Sequence, residues 1–332
     1  MTRRIRLSLA AALTLAALAA CSVGPAGQQS DAAPDRSPFV LPSPEAVKPR
    51  APLTGLEVDA SAVSKTAVLV PIEVGTGAAA PVGLDRADIV ELEFAEGRLL
   101  RAAAVYQSQP ADKAGPVAAV RPADVKLLNQ LRPYVAHDGT PKGFLDLLTA
   151  TKLAAVTPQK KLPGFTTAAG RSYVNTGTLQ AGAPDSQLEP APLFQYAQPG
   201  EPLAATGTTP ATTVVVSAPG HAPLTWKFDE TSKRWQATVG GAPVTAANLV
   251  LLTMPYTRKV VKALKREVAL ADPIGEGKAQ IFSSGQGVEA HWYKTGFYSA
   301  LNILGPSQYL VRLAPGPTWV LLVPTTAKVT AS

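Results

Sequence analysis

The chain has 332 residues, 17% of them charged and 6% aromatic, with 31 prolines, 26 glycines and a formal net charge of +7. That length allows one large or two ordinary domains, and the Pro- and Gly-rich mix suits a β-rich, loop-rich protein better than a helical bundle. A single cysteine, Cys21, excludes an intramolecular disulfide, a cysteine metal cluster and a thiol nucleophile in the folded part, and no aromatic-interleaved basic patch points to nucleic acid.

Arg3, Arg4 and Arg6 precede an apolar run over residues 7–18, broken only by Ser8 and Thr14 and too short to span a bilayer. The run ends in Leu18-Ala19-Ala20-Cys21. Residues 1–20 therefore read as a cleaved leader. The order of basic residues, apolar run, small residues and cysteine resembles the bacterial lipobox, which implies a diacylglyceryl group on the Cys21 sulfur. Each buried CH₂ of such chains contributes about 0.8 kcal/mol to membrane attachment. The expected location is the extracytoplasmic face of the cell membrane, with the membrane as a partner through the lipid on Cys21. Residues 21–50 are rich in Pro, Ala and Ser with few large apolar groups, a composition expected of a tether.

A first folded part is expected over residues 51–196. Residues 67–74 are apolar but contain Pro71, which suits an edge strand or a strand end. Residues 84–88 can form one helical turn. Val90, Leu92 and Phe94 then alternate with Glu91 and Glu93, Glu96-Gly97-Arg98 turns, and residues 99–106 return. This predicts an antiparallel hairpin with one buried face and a solvated face carrying the two glutamates. Pro122 sits at the first position of a helix with Val125, Leu128 and Leu131 at helical spacing, and Pro133 ends it. A short strand over residues 134–137 comes next. Asp138-Gly139 turns, and Thr140 is expected to cap a helix whose apolar face is Phe144, Leu145 and Leu148. Residues 157–210 show no clear elements.

Several short runs fall here in one order: a Pro-Leu-Thr-Gly at residues 52–55, Gly83-Leu84 leading to Ala87-Asp88-Ile89-Val90-Glu91, and Val105-Tyr106-Gln107-Ser108-Gln109. They continue with Asp112-Lys113, Gly115-Pro116-Val117, Arg121-Pro122 and His137 ahead of Gly139-Thr140. Together they resemble the YerB-like bacterial lipoproteins, a family of unknown function with N- and C-terminal parts, over roughly residues 50–325. The resemblance implies an envelope lipoprotein with a mixed α/β first part and a β-rich second part, and no established reaction. Where the family commonly has arginine and serine after Gly-Pro-Val, this chain has Ala118 and Ala119, and Ser172-Tyr173-Val174-Asn175 lacks the family's histidine.

Over residues 211–325 short strands recur at regular spacing. They include residues 212–217, the alternations around Trp226 and Trp235, a continuous apolar run at 248–253, a hairpin over 278–293, and a closing strand around Trp319. The expected fold class is α+β: a mixed α/β N-terminal part and an antiparallel, β-rich C-terminal part packed on it. No clear linker separates the two, so they can share one core.

No motif of a known reaction centre is present, so no catalytic residue is named and no cofactor or metal is expected. His137, His221 and His291 are far apart in sequence. Four residues are the candidate binding site. His137 and Asp138 lie at a strand end, although neighbours on a strand face opposite ways. Arg121 precedes a helix, where it can meet an anion or pair with Asp124, Glu91 or Glu93. Asn175 completes the set. The basic run at residues 258–266 can touch anionic lipid or a wall polymer, or simply be a solvated element. The reading favoured is a binding or scaffold module acting on an envelope protein or wall polymer. The alternative is a wall-polymer hydrolase or transferase near His137 and Arg121. A small-ligand carrier would need a large apolar pocket.

Overall fold

The computed structural model describes residues 48–75, 79–184, 189–201, 203 and 207–332. The expected leader, Cys21 and the expected tether up to residue 47 lie outside these residues. Arg50, expected from composition to be part of the tether, already belongs to the folded body: it bridges Glu57 and donates to the Ala197 carbonyl (3.1 Å).

The N-terminal strands are β1 (Val68–Val74), β2 (Ile89–Phe94), β3 (Leu100–Tyr106), β4 (Tyr134–Ala136) and β5 (Ala155–Val156). They lie in the order β2-β3-β1-β4-β5. The helices among them are α1 (Ala60–Val63), α2 (Pro122–Leu128) and α3 (Lys142–Ala150), with α4 (Thr176–Ala181) further on. Pro71 does not put β1 at the sheet edge, because β4 pairs with Val68 and Leu69 on the side away from β3. Pro71 lies beyond that short pairing, where its carbonyl accepts from Ala118 N (2.8 Å) and its missing N–H leaves no ladder bond unmade.

The C-terminal part is not a separate sheet packed on the first. The strand Thr318–Pro324 runs parallel to β2, pairing Ile89 with Thr318, and parallel on its other side to Asn248–Met254. Antiparallel strands Gly275–Ser283, Gln286–Lys294 and Asn302–Leu304 continue outward. Both parts thus share one eleven-stranded sheet, and the two parallel pairings at its centre explain the unbroken apolar runs there.

Each face of the sheet has its own cover. One carries Val70, Leu92, Ala104, Leu251 and Trp319, packed against Trp226 and Trp235 of a second, five-stranded antiparallel sheet. The other carries Leu69, Ile89, Val105, Val250 and Leu322 beneath Val125, Leu127 and Leu128 of α2. The alternation in β2 is therefore real, yet both of its faces are buried. Glu91 and Glu93 are each 1% exposed, so the expected solvated face is overturned.

Two helix details differ from expectation. The N-cap of α3 is Pro141, and Thr140 instead accepts from Val120 N (3.0 Å) and meets His137 Nδ1 (2.9 Å). Leu145 is exposed, while Phe144 and Leu148 are buried. The region over 157–210 contains a hairpin, Phe165–Ala168 with Arg171–Val174, followed by α4.

Candidate functional site

The family-like runs converge in space. Asp88, at the head of β2, accepts from Gln107 N (2.6 Å), Ser108 N (2.8 Å) and Ser108 Oγ. Burial raises its carboxyl to about 6 against these donors. The segment around Gly115-Pro116-Val117 leaves this knot and runs between two strands. Val117 N donates to Ser172 O (2.7 Å), and Ala118 N to Pro71 O. Gly115 has φ +144, and a Cβ there would lie 3.0 Å from the Tyr173 ring. Glycine is what allows this close passage.

That segment forms one wall of a cleft of about 380 Å³. The charged lining is Arg101, Arg121, Arg171, Arg266, Glu73 and Asp138. Ala118 and Ala119 also line it. Arg101 comes from β3, with Glu93 and Glu73 directly across from it on the neighbouring strands. Arg121 is the residue before α2. Arg171 and Ser172 come from the small hairpin.

Behind the cleft lies a layer of buried charge under α2. Arg121 holds Glu96 with two hydrogen bonds from Nη2 (2.8 and 3.0 Å), donates to Ala269 O (2.9 Å) and lies 3.5 Å from Glu93. Burial works against its charge, but Glu93 and Glu96 outweigh that and raise its pKa. Glu96 also pairs with Arg266 (3.2 Å), and the charge on Arg121 overcomes partial burial to lower its pKa. Burial pushes Glu93 up to about 7, opposed by Arg121 and by the Ala271 N–H it accepts (2.9 Å). Glu91 is the extreme case. Burial, then Asp124 and Glu93, raise it well above the usual range, and neither oxygen has a hydrogen-bond partner among the described residues. A buried carboxyl without donors keeps its proton. Burial raises Asp124 too, although it accepts from Arg121 N (2.8 Å).

Arg101 is the group that points to a ligand. It is 5% exposed, it lines the cleft, and its Nε has no hydrogen-bond partner among the described residues. One of its terminal nitrogens donates to Ala119 O. A buried guanidinium N–H left unpaired costs about 1–3 kcal/mol.

The four residues singled out from sequence do not form one site. Arg121 and Asp138 line the cleft. Asp138 accepts from Ser172 Oγ (2.8 Å) and Gln159 Nε2 (3.3 Å) rather than from the imidazole beside it. His137 turns to Thr140, whose hydroxyl accepts from Val120 N and shares a hydrogen bond with Nδ1. Burial lowers its pKa, with Asp138 opposing. Asn175 caps α4 through Thr178 N (2.9 Å). The four-residue constellation of the alternative hydrolase reading is therefore not assembled. Sequence reasoning missed Arg101, Arg171, Glu96 and Ser172, and met Arg266 only as the end of the basic run over 258–266. The available signal was the hairpin itself, which sets Glu93 opposite Arg101 across the Glu96-Gly97 turn.

Further concavities are lined by described residues. A groove of about 650 Å³ is lined by Phe94, Glu96, His221, Tyr256, Arg258 and Thr325. An apolar pocket of about 280 Å³ lies among Leu193, Phe194, Ile303 and Val311, smaller than the usual range for a small-ligand carrier. No helix among the described residues is long and apolar enough to cross a membrane.

Comparison with known proteins gives a consistent picture. Residues 53–189 match the family model "protein of unknown function (DUF3048) N-terminal domain", and residues 213–320 match the corresponding C-terminal domain. The "Putative lipoprotein YerB" of Bacillus subtilis is 35% identical over 116 residues, which span 35% of this chain and only 32% of that relative. The crystal structure of YerB protein from Bacillus subtilis superposes with a TM-score of 0.69 at 20% identity, covering 85% of this chain and 100% of that chain. At that identity the likeness speaks for the fold, which is α+β.

Proposed function

From the premise that this chain belongs to the DUF3048 family of YerB-like lipoproteins, matched in both its N- and C-terminal parts, we propose that it is a lipid-anchored binding module on the extracytoplasmic face of the cell membrane. Its ligand is anionic and enters the arginine cleft. The observation that carries the binding half is Arg101: a buried guanidinium with an unpaired N–H at a cleft that also presents Arg121, Arg171 and Arg266. Arginine suits this task because its fork matches carboxylate and phosphate oxygens in pairs. Asp138 and Ser172, already bonded to each other, supply an acceptor and a hydroxyl at the rim for the uncharged part of a ligand. The anchoring half is supported by the leader and Cys21 in the sequence and by the lipoprotein name of the relative.

Both halves have direct tests. In membrane fractions, Cys21→Ser is expected to move the protein from membrane to soluble fraction; unchanged membrane association would refute the anchor. For the cleft, pyrophosphate titrated calorimetrically into the full chain in neutral detergent is expected to bind saturably. Arg171→Gln and Arg266→Gln should each weaken it about tenfold, the size of one charge-assisted contact. Equal affinity in wild type and both variants would refute the cleft as the site.

A further inference from the structure

The hairpin beside the cleft carries most of the chain's excess charge. Its strands, Tyr256–Val261 and Arg266–Ala271, are joined by the 3₁₀ turn Lys262–Leu264. It holds Arg258, Lys259, Lys262, Lys265 and Arg266 against one acid, Glu267, while the whole chain has a net charge of +7. Glu267 is taken by Arg258 (3.2 Å), and Arg266 by Glu96. Lys259, Lys262 and Lys265 are exposed and form no ion pair among the described residues.

The hairpin is also placed with precision. Val268 and Leu270 pack on Phe144 of α3, with Val261 and Leu264 alongside, so it is fixed to the body through that contact. Register puts Lys259 opposite Val268 and Val261 opposite Arg266, on the face that meets α3 and the cleft. Leu264 and Arg266 line the cleft itself, and Arg258 faces the 650 Å³ groove on the other side. Lys262 and Lys265 flank Leu264 in the turn and Lys259 shares a strand face with Val261, so the lysines sit beside the cleft-lining end of the hairpin.

We infer that the ligand is a linear polymer bearing repeated phosphate groups: the cleft takes one anionic group, and the Lys259–Lys262–Lys265 edge of the hairpin holds its neighbours along the strand. This deepens the cleft reading and rests on it. A polymer fits better than an anionic bilayer for two reasons. A concave cleft floored by the buried Arg101 is reached by a protruding group and not by a flat surface. A hairpin that enters a membrane also presents a cluster of apolar or aromatic residues, whereas the large hydrophobic residue exposed here is Val260 alone (65%).

The test uses the full chain in neutral detergent with two probes, pyrophosphate and long-chain inorganic polyphosphate. Polyphosphate is expected to bind at least thirtyfold more tightly, with affinity falling steeply and log-linearly with salt as counterions are released. The triple variant Lys259→Gln, Lys262→Gln, Lys265→Gln should lose at least tenfold in polyphosphate affinity, show a shallower salt slope, and bind pyrophosphate within twofold of wild type. That last measurement also shows that the variant is folded. Unchanged polyphosphate affinity in the triple variant, or phosphatidylglycerol vesicles binding as tightly as polyphosphate through the same lysines, overturns the inference while leaving the cleft reading intact. Polyphosphate binding that falls with the triple variant but ignores Arg171→Gln and Arg266→Gln overturns both.

Discussion

Glu93 shows how far burial can move a single carboxyl, and that displacement ties stability to pH. Folded, it holds its proton up to about pH 7; unfolded, it releases it near pH 4.5. The folded state therefore binds the extra proton across that window. The associated stability is fully present below pH 4.5 and is lost as pH rises through 7. Asp88 works in the same direction, between about pH 4 and 6. The imidazole of His137, kept neutral by burial, works the other way and loses stability as pH falls below 6.5. In Glu93→Gln the amide oxygen can still accept from Ala271 N but cannot titrate. Urea melts at pH 4.5 and pH 8 should show wild type losing stability relative to this variant by on the order of 3 kcal/mol. A constant difference between the two proteins would contradict the burial of this group. Thr140→Val tests the residue that the sequence offers as a helix cap. In the structure it would leave Val120 N and His137 Nδ1 without a partner, so a loss of about 2 kcal/mol is expected in the same melts. At this scale the sequence was a poor guide. Alternation in β2 says which residues share a face, and a Glu-x-Glu face is ordinarily wet. What makes it dry is α2 laid over it, with the arginines from β3 and from the start of α2 offsetting part of the buried charge.

At the scale of elements the sequence was more legible. The β2–β3 hairpin, the Pro122 helix start, the alternating strands around Trp226 and Trp235 and the hairpin over 278–293 all come from period and turn chemistry. What stayed hidden was the small Phe165–Ala168 and Arg171–Val174 hairpin, which forms a wall of the cleft. Its first strand is mostly exposed, so it carries no apolar period to detect. Glycines can be ranked at this scale too. Gly83, at φ +83 before the 3₁₀ turn, would bring a Cβ within 2.6 Å of the Lys113 carbonyl; Gly97, at φ +68 in the hairpin turn, has nothing within 4 Å. Thermal melts should find Gly97→Ala costing about 1 kcal/mol, from the left-handed backbone alone. Gly83→Ala should cost several-fold more, because a rigid carbonyl must shift. Equal costs would mean that the close approach of residues 83 and 113 is wrong.

For the molecule as a whole, the decisive feature is Thr318–Pro324. Family models divide the chain into two stretches, and a sequence reading does the same, because the strand pattern changes near residue 211. That division follows the order of the chain. The sheet follows a different order, and no local pattern announces that a strand near residue 320 will lie beside one near residue 90. The two stretches should therefore fail as separate proteins. Residues 48–196 expressed alone would leave β2 with an open apolar edge and are expected to aggregate, whereas residues 48–332 unfold in one cooperative transition. A stable, monomeric 48–196 fragment with a sharp melt would refute the shared sheet.

The parallel seam also bears on how this chain comes to be folded. Ile89 waits for Thr318, and until that strand arrives the earlier residues form half of a sheet with its most apolar edge bare. Synthesis order thus delays closure of the sheet until nearly the whole chain is present. A chain of this design completes its central sheet last, and a chaperone that attends it is expected at the β2 edge.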